Sequence, residues 1–194
     1  MPRGLNKEAL LEAGLDLMYR RGFHASGIQE IADASGVPKG SFYNYFKSKD
    51  DFAMQALERY TERTVAHLQE TLIEGGGSPI ERLHKLLDDW TENQFFSYQG
   101  RGCFAANLSM EIANHNPAIR AALGRSFAKL ESYFQLCLKE AKELGEIASD
   151  VDVKSYASFL YNALHGSLIR AKAEGGTGPA TKYRDFVFST LLAK

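Results

Sequence analysis

Apolar residues recur with a helical period along almost the whole chain, and no segment shows the strict alternation of a half-buried strand. Ile28, Ile31 and Ala32 fall at i, i+3 and i+4, one stripe of a short helix. Ser26 lies ahead of that stripe with Gln29 three positions on, the spacing of a capping box. Gly36 stands where the helix must stop, since glycine takes the left-handed C′ conformation at little cost, and Pro38 suits the first position of a following helix. Phe42 and Phe46, four apart, can lean back on the first of these helices. Ser48 then caps a third, with Asp51 in the place a capping box gives to Glu or Gln. Ser26 to Phe52 therefore reads as two short helices joined by a tight turn and followed at once by a long one, the layout of a helix-turn-helix.

Helices continue to the end of the chain. The first long one runs from about Lys49 to Glu74 and stops at Gly75-Gly76-Gly77. Ser78-Pro79 opens another, with Leu83, Leu86, Leu87 and Trp90 on one face, fading near Tyr98. A shorter helix spans about Phe104 to Ala113, and Asn116-Pro117 starts a long one to about Leu144. Asp152 caps the next, to about Glu174, and Pro179 opens the last. Gly166 inside the penultimate helix costs ~1 kcal/mol against alanine, so close backbone approach is the expected compensation. The fold class is all-α.

With 194 residues the chain has room for one or two compact units and a real core. No apolar run approaches the ~20 residues that span a bilayer, and MPRGLNKEALL lacks a signal-peptide core, so a cytoplasmic location and no membrane partner are expected. The net charge of −1 argues against a general nucleic-acid coat, but residues 1–49 carry seven basic and five acidic side chains while the remainder is net acidic. Arg3, in an arm ahead of the first helix, could reach a minor groove or a phosphate. Cys103 and Cys137 make no disulfide framework, and His24, His67, His84, His115 and His165 are scattered without metal-ligand spacing. No metal, cofactor or catalytic residue is expected.

The segment GSFYNY is poor in strong helix formers and carries two phenols and an amide outside its Phe stripe. Lysine and asparagine can read purine edges, and serine and tyrosine hydroxyls suit phosphates or bases. Four pieces, ALLEAGLDLMYRRGF, IQEIADASGV, PKGSFYNYF and KSKDDF, together resemble the DNA-binding domain of the TetR family of transcriptional regulators. That resemblance implies an N-terminal three-helix helix-turn-helix domain over residues 1–48. It also implies a C-terminal helical ligand-binding and dimerisation domain over 49–194, about nine helices in all. By the same resemblance Lys39, Gly40, Ser41, Tyr43, Asn44 and Tyr45 face double-stranded operator DNA, and Lys49 contacts a phosphate. One departure stands out: Gly27 replaces the threonine frequent there, so only Ser26 offers a hydroxyl at that end. The last two helices, rich in apolar side chains, would pair with their copies to form a homodimer, which sets two recognition helices ~34 Å or more apart on a palindrome.

In such proteins a small-molecule effector that fills the C-terminal domain generally releases DNA. Trp90, Phe95, Phe96, Phe104, Phe127, Tyr133, Phe134, Tyr161 and His165 offer aromatic surface with a few polar tips. The run GCFAANLSMEIANHN resembles the effector-domain motif of an electrophile-responsive subgroup that includes the repressor of N-ethylmaleimide reductase. There the cysteine at the position of Cys103 can be the sensor. Cys103 would sit at a helix start beside Arg101, and both features lower a thiol pKa; the alternative is a small buried hydrophobe, as Cys137 is taken to be. Asn107 and Glu111, four apart on one face, either orient a ligand or tie their helix to its neighbours. Two functional readings follow: a repressor released by a small molecule, or one that senses redox state or electrophiles through Cys103. An enzyme is disfavoured, because no nucleophile–base pair or phosphate loop is present and Glu81-x-x-His84 lacks the second copy a diiron bundle needs.

Overall fold

The computed structural model describes residues 3–93 and 102–192. Among them are nine α-helices and no strand: α1 (Arg3–Arg21), α2 (Ile28–Ser35), α3 (Lys39–Phe42), α4 (Lys49–Leu68), α5 (Pro79–Asp88), α6 (Phe104–Ile112), α7 (Pro117–Glu143), α8 (Val153–Glu174) and α9 (Gly178–Phe186). Single π-helical turns extend α4, α5 and α9. The all-α expectation and most boundaries hold; the fading of the fifth helix near Tyr98 lies outside the described residues. Arg3 belongs to α1 rather than to an arm ahead of it. Among the described residues no helix is long and apolar enough to cross a membrane.

Packing divides the chain into two compact units, residues 1–62 with 104–126, and residues 63–103 with 127–194. This is a different cut from the expected functional boundary after residue 48. The first unit also takes in the start of α4, all of α6 and the start of α7.

In the first unit, Phe42, Phe46 and Phe52 are sealed from solvent, with ring centroids 4.9–5.5 Å apart. Burying each such side chain stabilises by about 1.5–3 kcal/mol. Gly14 makes room for them: a Cβ there would stand 2.2 Å from Cζ of Phe52, so the ring lies directly on the α1 backbone. Helix α2 stops as its sequence requires, with Gly36 at φ 65° and the Val37 amide donating to the Ala32 carbonyl at 3.0 Å.

The start of α2 differs from the sequence expectation by one residue. The N-cap is Gly27, whose amide donates to the Glu30 carboxylate at 2.9 Å. Ser26 is wholly buried and its hydroxyl donates to the Gly22 carbonyl at 2.7 Å, closing the α1–α2 connection from inside. With no side chain on Gly27, Glu30 takes over the cap and adds an ion pair to Arg21 at 2.6 Å.

That connection has a second anchor, from α6. The two carboxylate oxygens of Glu111 accept the amides of Phe23 and His24, each at 3.0 Å. The tying role weighed for Glu111 is therefore the one it plays. Asn116 caps α7 by accepting from the amides of Ala118 and Ile119, and its own amide donates to Asp50 at 2.9 Å. Thr61 and Ser126, both buried, share a 2.7 Å hydroxyl contact.

In the second unit, Ser78 and Glu81 form the capping box of α5. The buried Arg82 donates to the Ile73 carbonyl at 3.1 Å and pairs with Glu140. Helices α8 and α9 pack on each other, with Ala171 and Ala180 wholly buried and the Tyr183 hydroxyl on the Leu160 carbonyl at 2.8 Å. Arg184 joins α9 to Asp88 of α5 at 2.9 Å. The close approach expected at Gly166 is absent among the described residues: a Cβ there would meet nothing within 4 Å.

Replacing Glu111 by alanine strands the Phe23 and His24 amides, at about 1–3 kcal/mol for each group that water does not re-satisfy. Urea unfolding is expected at a lower midpoint, and hydrogen exchange at these two amides should accelerate. Unchanged exchange there would remove the clamp.

Candidate functional site

The recognition segment is shorter than its sequence implied. Only Lys39–Phe42 is α-helical; the amides of Asn44 and Tyr45 reach back three residues, to Ser41 at 3.2 Å and Phe42 at 3.0 Å. Gly40, Ser41 and Asn44 are poor helix formers, which is why the turn does not propagate. Lys39, Gly40, Tyr43 and Asn44 are exposed, with Tyr43 at 55% of its full accessibility; Ser41 and Tyr45 are half-buried. Phe42 and Phe46 face the opposite way, into the core. The segment thus presents two donors, a phenol and an amide on a backbone braced from behind.

Two expected DNA contacts stand differently. Ser26 is sealed inside, so its hydroxyl faces neither a phosphate nor the α2 amides. The Lys49 ammonium donates to the His24 carbonyl at 3.2 Å and lies 4.5 Å over the Phe23 ring. Its pKa is lowered by partial burial, against the opposing pull of the Glu111 and Asp50 carboxylates. Lys49 is thus first a brace for the α1–α2 connection. Sequence reasoning missed Glu30 and the partner of Glu111. The Glu30 carboxyl is held below its ordinary value by the Gly27 amide first, and by Arg21.

In the second unit the proposed ligand residues form a continuous chain of rings. Trp90 lies 6.1 Å from Phe134, Phe134 5.5 Å from Tyr161, and Tyr161 6.5 Å from Phe127 and 4.5 Å from His165. His165 is hydrogen-bonded to Cys103, which is half-buried. The Trp90 Nε1 is enclosed and has no acceptor among the described residues. Burial first, then the Cys103 sulfur and Glu131, push the Tyr161 phenol up, so it stays protonated. Phe104 is not part of this chain: it is buried in the first unit against Tyr19 and Tyr60, at 5.2 and 5.7 Å, with its amide on the Tyr19 hydroxyl. Asn107 is half-buried on α6, also in the first unit. Phe95, Phe96 and Arg101 lie outside the described residues. A separate open groove of ≈ 800 Å³, bordered by His67, Glu74, Arg82, His84 and Asp88, shares none of the ring residues.

The second cysteine is a different group altogether. Cys137 is wholly buried on α7 and its thiol donates to the Pro79 carbonyl at 3.2 Å. Burial pushes it up to about 12, so it stays a thiol.

Comparison with known proteins agrees with both halves. Residues 10–56 match the profile of "Bacterial regulatory proteins, tetR family", and residues 79–187 that of "Tetracyclin repressor-like, C-terminal domain". The chain is 32% identical over 192 residues to the HTH-type transcriptional repressor DhaR of Mycobacterium sp. (strain GP1), covering 99% of this chain and 95% of that one. It is 30% identical over 167 residues to the HTH-type transcriptional repressor NemR of Escherichia coli (strain K12), covering 86% and 83%. The crystal structure of the reduced form of E. coli NemR superposes with a TM-score of 0.86 at 26% identity, covering 97% of this chain and 98% of that one. These likenesses bear out the resemblance that Cys103–Glu111 carries to the same subgroup. By sequence and by fold, the chain belongs to the TetR family of bacterial transcriptional regulators.

Proposed function

We propose that this regulator is a repressor, acting in the cytoplasm as a homodimer on a palindromic operator, and that a small molecule held by the ring chain in its second unit releases it. The observation that carries the DNA reading is the recognition segment itself. Lys39, Gly40, Tyr43 and Asn44 are exposed together, beside the half-buried Ser41 and Tyr45, on a backbone fixed by buried phenylalanines. Groups so arranged can meet phosphates and base edges without first becoming ordered. Lys49 adds its positive charge close by, but Ser26 drops out of the contact set.

Pairing through α8 and α9 is supported by what they leave uncovered. Phe159 and Ile169 are about half exposed on α8, Gly166 between them has open space before it, and Phe186 of α9 is exposed as well. A small residue flanked by large apolar ones lets another helix approach closely. For the effector, the Trp90 indole N–H and the polar tips of Tyr161 and His165 provide orientation within an apolar lining. A ligand shifts the DNA equilibrium only as far as its affinity differs between the bound and free forms.

A second reading, in which Cys103 senses electrophiles or oxidants, is favoured by one contact: the cysteine is hydrogen-bonded to an imidazole.

Lys39→Ala and Tyr43→Ala should each weaken binding to a palindromic duplex, selected by the wild type from random sequence, by about 1–3 kcal/mol, without lowering the melting temperature. Wild-type affinity in both variants would refute the recognition face. Phe159→Asp or Ile169→Asp should convert dimer to monomer in sedimentation velocity; dimers that persist in both would place the interface elsewhere. Cys103→Ser should keep operator binding. If acrolein still releases this variant as it does the wild type, thiol sensing is excluded.

A further inference from the structure

We infer that Glu111 is a positioning residue for operator binding: its carboxylate, seated on the amides of Phe23 and His24, ties α6 to both ends of the helix-turn-helix, and operator affinity depends on that tie. The role rests on the DNA reading above, and its seat lies outside the recognition face. The carboxylate oxygens accept the Phe23 and His24 amides at 3.0 Å each, and the His24 ring Nε2 lies 3.3 Å from the Glu111 backbone carbonyl. Two successive amides turned to one side form a concavity that suits an anion. Gly22 shapes it. Its φ of 84° is left-handed, and a Cβ there would stand 2.5 Å from the Glu111 Oε1. Any side chain at that position collides with the seated carboxylate.

From the start of α4, the Lys49 ammonium closes the same node by donating to the His24 carbonyl and lying over the Phe23 ring. Partial burial lowers the Lys49 pKa, and Glu111 is foremost among the carboxylates that oppose this. Phe23 and His24 stand just ahead of α2, which starts at Ile28, and Lys49 opens the helix that follows the recognition segment. One carboxylate therefore governs the entry to the helix-turn-helix and its exit together. All these residues belong to the first unit.

Charge and position predict opposite signs for the loss of this carboxylate. Neutralising Glu111 removes a negative charge from the unit that meets a polyanion, and by long-range electrostatics alone this strengthens binding. Losing the tie weakens binding, because entry and exit are no longer fixed. Glutamine keeps the size of the side chain but offers one oxygen, and its NH2 group meets the second backbone amide donor to donor.

The test is the operator affinity of full-length Glu111→Gln, per active molecule, on the palindromic duplex selected by the wild type, with the melting temperature measured alongside. Affinity should fall about tenfold. Thr61→Val, which breaks the buried Thr61–Ser126 contact in the same unit, should lower the melting temperature and leave affinity unchanged. Wild-type or tighter binding by Glu111→Gln would overturn the positioning role, as would an equal loss of affinity in Thr61→Val. Lys39→Ala in the same series keeps the two readings apart. Loss there with wild-type affinity in Glu111→Gln removes the positioning role and leaves the recognition face standing; the reverse pattern does the opposite. Should Glu111→Gln fail to fold, hydrogen exchange of the wild type decides. Coupling is reciprocal, so the Phe23 and His24 amides should exchange about tenfold more slowly on the operator than in the free protein. Exchange that the operator leaves unchanged would overturn the tie.

Discussion

A helix of four residues cannot hold itself in water, because nucleation costs more than one turn of hydrogen bonds returns. The recognition segment of this protein is such a helix, and everything it offers to DNA depends on three phenylalanine rings packed behind it. Phe42 and Phe46 come from the segment and its following turn, and Phe52 from the next helix, so one cluster fixes two elements and the bend between them. Gly14 completes the arrangement by letting the Phe52 ring rest on the α1 backbone. Because rigidity is supplied from the core, the outward positions can be glycine, serine, tyrosine and asparagine despite their low helix propensity.

The parts legible in the sequence were those governed by local rules. Apolar periodicity and the punctuation of Gly36, Asn116-Pro117 and Asp152 placed the helices close to where they lie. The start of α2 was misread by one residue because two boxes overlap there, Ser26 with Gln29 and Gly27 with Glu30, and only tertiary packing shows that Ser26 turns inward. The four-residue length of α3 was foreshadowed by the weak helix formers of GSFYNY, but its end was not. What joins distant positions could not be read at all. Nothing local announces that Phe104 sits with Tyr19 and Tyr60, or that Trp90, Phe134, Phe127, Tyr161 and His165 follow one another ring to ring.

The two sulfurs show how far environment outweighs identity. One lies in an apolar helix with a carbonyl as its neighbour and behaves as a small hydrophobe. The other starts a helix beside an imidazole whose second nitrogen is already committed. The sequence already set one at a helix start and the other inside an apolar helix, but spacing did not mark the imidazole, which comes from a helix far along the chain.

The Glu111 carboxylate also constrains how the chain can fold. It binds amides 87 and 88 positions before it, a long loop to close for a region otherwise built from local contacts. During synthesis the DNA-reading head emerges first, yet the anchor of its first connection is added only when α6 has been made. Until then the segment around Phe23 and His24 lacks the carboxylate that accepts those amides in the folded protein, so closure of the head draws on the middle of its own chain.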